Sequence, residues 1–151
     1  MHRRHECLGL PRRFLDGLDD YIREAAPSIP RRASPVILTG EFIPENLVLR
    51  RDASGWQLAG LIDFGDVMTG WRDYDRLGPG AFMAEGRPQR VRAPLRGFGY
   101  DDGDLDRSLS RRLLALSLLH RFSDPVRHFR VEGWQEKAAN LPELETVIWP
   151  L

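Results

Sequence analysis

Lysine is almost missing from this 151-residue chain: Lys137 stands alone, and arginine makes up the rest of its 22 basic residues. Cysteine is equally scarce. A single Cys7 excludes an internal disulfide and a multi-cysteine metal site, and an idle or buried thiol is the expectation. No apolar run approaches the roughly 20 residues of a membrane-spanning helix. The first residues, MHRRHECLGLPRR, lack the hydrophobic stretch of a signal peptide, so a soluble cytoplasmic protein is expected. Charge of one sign is also lacking. With 22 acidic and 22 basic residues there is no global field to attract nucleic acid, and the pairs Arg3-Arg4, Arg12-Arg13 and Arg31-Arg32 read as solvated faces. No Gly-x-Ser-x-Gly elbow surrounds a serine, and the four histidines are too scattered for a metal set. Asp101-Asp102-Gly103-Asp104 has no glutamate at the spacing of a calcium loop. Neither G-x-G-x-x-G nor G-x-x-x-x-G-K-[ST] occurs, and Lys137 lies in the polar context WQEKAAN, as a surface lysine would.

What is present suffices for one domain with a sizeable core, since 42% of residues are hydrophobic. Residues 11–26 carry Phe14, Leu15, Leu18, Tyr21 and Ile22 at helical spacing, with Pro27 and Pro30 ending the helix. The N-terminal residues before it read as frayed. Val36-Ile37-Leu38 is a short buried strand candidate. Leu47–Arg50 and Trp56–Ile62 are expected to pair as a hairpin through the turn Asp52-Ala53-Ser54-Gly55. Residues 70–100 suit short helices and loops. A helix is expected to start at Asp104 as N-cap, with Leu105, Leu109, Leu113, Leu116 and Leu119 or His120 as its apolar face, and to stop at Asp124-Pro125. Another short helix is expected near Pro142 to Trp149. The fold class is therefore α+β, mainly helical, with one small sheet.

The most informative stretch is TGEFIPENLVLRRDASGWQLAGLIDFGD, residues 39–66. Glu41 precedes Asn46 by five positions, and Asp63 follows the hairpin in Asp63-Phe64-Gly65. The hairpin would place Asn46 and Asp63 at the same end of the ribbon, where an amide oxygen and a carboxylate can share one ion. Phosphoryl transfer of the kinase type uses groups in this order: a carboxylate to accept the hydroxyl proton, then an amide and a carboxylate for Mg²⁺. Plainer readings exist for each: Glu41 as a loop charge, Asn46 as a turn cap, Asp63 as a turn residue. Asp66 reads as a solvated loop acid.

This segment resembles the catalytic core of the aminoglycoside phosphotransferase family, whose fold is related to protein kinases. Gly40, Pro44, Asn46, Ile62, Asp63 and Phe64 match the family pattern as they stand, and Tyr74-Asp75 fits its later Tyr-Asp pair. Thr39 and Glu41 depart from it, standing where the family has His and Asp. The resemblance covers roughly residues 11–125 and is specific in 39–76. It implies the C-terminal lobe of a kinase-like phosphotransferase, with the hairpin carrying the catalytic and metal loops. Glu41 would be the catalytic carboxylate, Asn46 and Asp63 the metal ligands, and Asp75 a brace for the loop. Asp101 and Asp102 are candidate substrate contacts. ATP and Mg²⁺ are the implied cofactors, and a small-molecule hydroxyl, as in an aminoglycoside, is the implied acceptor. About 38 residues precede the catalytic loop, so the nucleotide-binding N-lobe is expected to be absent, leaving a chain weak or inactive alone. The alternative is a non-catalytic remnant that binds a partner through the surface where that lobe would dock.

Overall fold

The computed structural model describes residues 1–151 as an α+β protein, mostly helical with two small antiparallel sheets. Helix α1 (His2–Cys7) opens the chain, followed by α2 (Arg12–Leu15) and α3 (Leu18–Ala25). Strand β1 (Val36–Leu38) pairs with β4 (Met68–Gly70), and β2 (Leu47–Asp52) pairs with β3 (Gly55–Leu61) as a hairpin. Helices α4 (Leu77–Phe82), α5 (Pro88–Gly97) and α6 (Arg107–Leu119) come next, then α7 (Pro125–His128), α8 (Trp134–Lys137) and α9 (Leu141–Ile148). No helix is long and apolar enough to cross a membrane.

The β1–β4 ladder, Val36 opposite Gly70 and Leu38 opposite Met68, closes a long excursion. Everything between them, the loop after β1, the hairpin and the Asp63 turn, leaves and returns at one place. The helices supply the floor. Leu113, Leu114 and Leu118 of α6 are fully buried against Phe14, Leu18, Leu144 and Ile148. Burial of each such side chain contributes about 1.5–3 kcal/mol. One buried carboxylate ties the last helix to this floor. Glu145 of α9 accepts from Tyr21 Oη at 2.9 Å, Arg107 Nε at 2.7 Å and Arg111 Nε at 3.2 Å.

Several expectations are corrected. Residues 11–26 form two helices broken at Asp16-Gly17, which lets Phe14 and Leu15 turn inward separately from Leu18 and Tyr21. The N-terminus is helical, with His5 fully buried and bonded to the Leu118 carbonyl at 2.9 Å. In β1 only Leu38 is buried, because one partner strand and no cover leave Val36 and Ile37 exposed. Helix α6 starts two residues later than expected. Asp106 is its cap, accepting from Leu109 N–H at 2.9 Å, while Asp104 belongs to the preceding 3₁₀ turn. Its buried face runs through Leu114, Ala115 and Leu118, and Leu119 is exposed. The helix ends at Leu119, and Asp124-Pro125 begins α7 instead of stopping α6. Cys7 is exposed.

Candidate functional site

The loop leaving β1 is held by its own backbone. Asp75 accepts the Thr39 N–H at 2.7 Å and the Gly40 N–H at 3.2 Å, using both carboxylate oxygens. Gly40 sits at φ +80, and a Cβ there would lie 2.2 Å from the Asp66 carbonyl oxygen. On the other side, a Cβ on Gly78 of α4 would lie 2.0 Å from the Phe42 carbonyl oxygen. The loop is thus gripped between the Asp66 turn and α4, with no room for side chains at either approach. Glu41 lies within this grip, half-buried. Its carbonyl accepts the Ile43 N–H at 3.0 Å and the Asn46 side-chain amide at 3.0 Å.

The hairpin brings Asn46 and Asp63 to the same end. Ile62 N–H donates to the Asn46 carbonyl at 2.9 Å, one step beyond the Leu47–Leu61 pair. Asn46 is 6% exposed. Because its Nδ2 donates to Glu41, its Oδ1 is left over as an acceptor. Asp63 is exposed and sits at φ 60, a left-handed conformation that costs a non-glycine residue on the order of 1–3 kcal/mol. Its Oδ1 accepts the Gly65 N–H at 3.3 Å. No group of three or more His, Cys, Asp or Glu that could hold a metal occurs. Asn46 Oδ1 and the Asp63 carboxylate are two hard oxygen donors. That set suits Mg²⁺, which keeps waters and takes phosphate oxygens beside one or two protein ligands.

Glu41 and Asp75 also line a pocket of about 320 Å³ between the loop, α4, the end of α6 and the start of α7. Its walls include Phe42, Tyr74, Phe82, Phe122 and Phe129. His120 projects from the end of α6 into this lining, its ring 4.5 Å from that of Tyr74. The Phe122 N–H donates to His120 Nδ1 at 3.1 Å, which leaves the proton of the neutral ring on Nε2. Burial holds the His120 imidazole down at about 4, helped by the positive charge of Arg121. Burial also lowers His128 and raises Tyr74.

Asp101 and Asp102 stand apart from that pocket. Asp101 and Asp104 form a capping box around the 3₁₀ turn, and Asp102 pairs with Arg96 at 2.6 Å. Asp66 faces Arg121 at 3.7 Å.

Two features escaped sequence reasoning. One is His120, read there as the alternative to Leu119 on a helix's apolar face. The other is Asp73, fully buried, which pairs with Arg76, accepts the Tyr100 hydroxyl at 2.7 Å and lies 3.2 Å from Arg112 Nε. Arg76 stacks 4.3 Å from the Tyr100 ring centroid. This cluster fixes the turn that carries Asp75. The spacing of Asp73 and Arg76 was readable, but nothing local separates a buried pair from an exposed one.

A family model described as the phosphotransferase enzyme family matches residues 2–107. No curated protein and no solved structure matches the chain.

Proposed function

The chain belongs to the phosphotransferase enzyme family, and on that premise we propose that it is the C-terminal lobe of a kinase-like enzyme that phosphorylates a small-molecule hydroxyl from ATP. The observation that carries this reading is the Asn46 amide. Its donor side is anchored on the Glu41 carbonyl, and its strand partner Ile62 leads directly to Asp63, so three residues of separate roles share one corner. Glu41 orients the acceptor hydroxyl and takes its proton. The acceptor oxygen bonds to the γ-phosphorus of ATP, the bond to the bridging β–γ oxygen breaks, and ADP leaves. Asn46 Oδ1 and the Asp63 carboxylate would hold Mg²⁺, which neutralises phosphate charge when bound. Asp75 holds the loop from behind through two backbone N–H groups.

Glu41 is one methylene longer than aspartate, and a displacement near 1 Å costs roughly 100-fold in rate. Turnover is therefore slow unless the loop is placed to compensate. The chain carries no Gly-rich phosphate loop and no strand lysine. The phosphate-holding lobe is proposed to come from outside these residues.

Isothermal titration of Mg-ATP into the purified chain tests the reading, with Asp63→Asn as control. Asparagine tolerates the left-handed conformation, so that variant keeps the fold while losing the charge. Magnesium-dependent heat that disappears in Asp63→Asn supports the metal site. Heat unchanged by the substitution, or absent at millimolar nucleotide, removes it for the isolated chain.

A second reading is favoured by one observation: Ile37, Leu49, Trp56, Leu58 and Phe64 are all more than half exposed in the segment that would meet a nucleotide lobe. A non-catalytic remnant would use that face to bind a partner. Retention of partner binding in Asp63→Asn, with no turnover by any form, selects it.

A further inference from the structure

The pocket beside Glu41 has a chemical character of its own. Five aromatic side chains line it, Phe42, Tyr74, Phe82, Phe122 and Phe129, and Ile43 and Leu77 extend the apolar wall. Not one arginine or lysine is among its lining residues, although the chain has 22 basic residues. Arg121 lies behind the wall, over the Phe122 ring at 4.5 Å and facing Asp66 at 3.7 Å, so an anionic acceptor such as a sugar phosphate would find no cation on the lining itself. Three carboxylates reach the lining, but two are already engaged. Asp75 takes the Thr39 and Gly40 N–H groups, and Asp124 takes the Arg127 N–H at 3.1 Å as the cap of α7. Only Glu41 leaves its carboxylate without a hydrogen-bond partner, so the lining offers one free carboxylate acceptor and no cation. The other polar equipment is neutral. Ser117 donates to the Leu113 carbonyl at 2.8 Å, and His120 accepts the Phe122 N–H. The volume of about 320 Å³ is near the low end of small-molecule sites. An apolar cavity of about 150 Å³ holds one benzene.

We propose that the acceptor taken by this pocket is a small alcohol without an anionic group and with a mainly apolar, ring-sized body, its hydroxyl directed to Glu41. This rests on the phosphotransferase reading for the word acceptor, and on the pocket alone for the ligand chemistry. The apolar body displaces water from the aromatic walls, and burial lowers the His120 imidazole, so the ring adds no charge to the lining at neutral pH. An alcohol of this kind needs one polar contact, and Glu41 supplies it.

The test is protein-observed NMR on the full chain without nucleotide, using benzyl alcohol, glucose 6-phosphate and kanamycin as probes. The expected result is saturable millimolar binding of benzyl alcohol, with shifts at Gly40, Phe42 and Phe122. The other two probes at equal concentration are expected to leave those amides in place. Phe122 is exposed, so Phe122→Asp folds while placing charge at the pocket wall. It is expected to weaken benzyl alcohol at least fivefold. Tighter binding of kanamycin or glucose 6-phosphate overturns the proposal, as does silence from all three probes or an unchanged Phe122→Asp affinity. Failure of the phosphotransferase reading is seen separately. Alcohol binding that persists while Mg-ATP shows no dependence on Asp63 keeps the ligand chemistry and removes the transfer.

Discussion

Gly40 decides whether the loop after β1 can keep its present path. Its φ of +80 is costly for any residue with a side chain, and the Asp66 carbonyl oxygen 2.2 Å from the virtual Cβ is backbone that cannot rotate away. Gly40→Ala is expected to lower stability by on the order of 2–3 kcal/mol, read as a lower urea midpoint with an unchanged slope. A titration argument belongs at the same scale. Burial holds His120 at about 4 against the unperturbed 6.5. The unfolded chain therefore binds a proton that the folded chain refuses. The contribution of His120 is fully present above pH 6.5 and is lost as pH falls toward 4. His5 and His128 are lowered in the same direction and steepen the loss. Between pH 7 and pH 5 the His120 share is about 2 kcal/mol. His120→Gln should make the fall in stability over that interval shallower, and denaturation curves at the two pH values measure it. An equal slope in the variant would refute the assignment. Glycine at position 40 was legible in the sequence through its motif. The His120 environment was not, because its burial comes from Tyr74 and the start of α7, which lie far apart in the chain.

Helix α4 shows how packing overrides propensity at the scale of an element. Its sequence, Leu77-Gly78-Pro79-Gly80-Ala81-Phe82, holds two glycines and a proline, poor material for a helix. Space explains both glycines. Gly78 admits the Phe42 carbonyl, and a Cβ on Gly80 would lie 1.8 Å from Cη2 of Trp149. Alanine at position 80 gains about 1 kcal/mol of helix propensity. Against this, Trp149 is 1% exposed and has nowhere to move, and overpacking costs about 1–3 kcal/mol. Gly80→Ala is thus expected to destabilise on balance, by up to about 2 kcal/mol. Gly97, at the end of α5, has nothing within 4 Å of a virtual Cβ, so Gly97→Ala is expected to be neutral or mildly stabilising. Thermal melts of the two variants give opposite or clearly unequal shifts if the space argument holds. The hairpin could be read from its turn, and the last helix, expected near Pro142 to Trp149, runs from Leu141 to Ile148. The two-piece start of the chain and the true cap of α6 could not, since Asp104 and Asp106 differ only in which backbone N–H each reaches, and the 3₁₀ turn claims Asp104.

On the scale of the whole molecule the two halves are unequally covered. The helical floor buries its apolar residues, whereas the β2–β3 hairpin presents Leu49 opposite Leu58, with Arg51 opposite Trp56, on a face left open. A hairpin of two strands alone is marginally stable in water. Its turn could be read in the sequence but the register shift between Val48 and Leu49 could not, and no residue in it says what lies on top, because an apolar run does not name the surface that meets it. The hairpin nevertheless carries Asn46 at one end of one strand and leads to Asp63 from the other, so its stability sets how well those two residues are held. Amide exchange in Leu47–Asp52 and Gly55–Leu61 is therefore expected to be much faster than in α6, where Leu113, Leu114 and Leu118 are fully buried. The open face is also expected to drive self-association as concentration rises. Leu58→Lys, at a side chain 61% exposed, should change stability by no more than about 0.5 kcal/mol and shift sedimentation toward the monomer. If the hairpin exchanges as slowly as α6 and Leu58→Lys leaves sedimentation unaltered, the face is not an open flank. Asn46 and Asp63 are then held without a second lobe. Slow exchange that appears only on adding a nucleotide-binding lobe in trans would instead show that the Asn46–Asp63 corner is ordered by its cover.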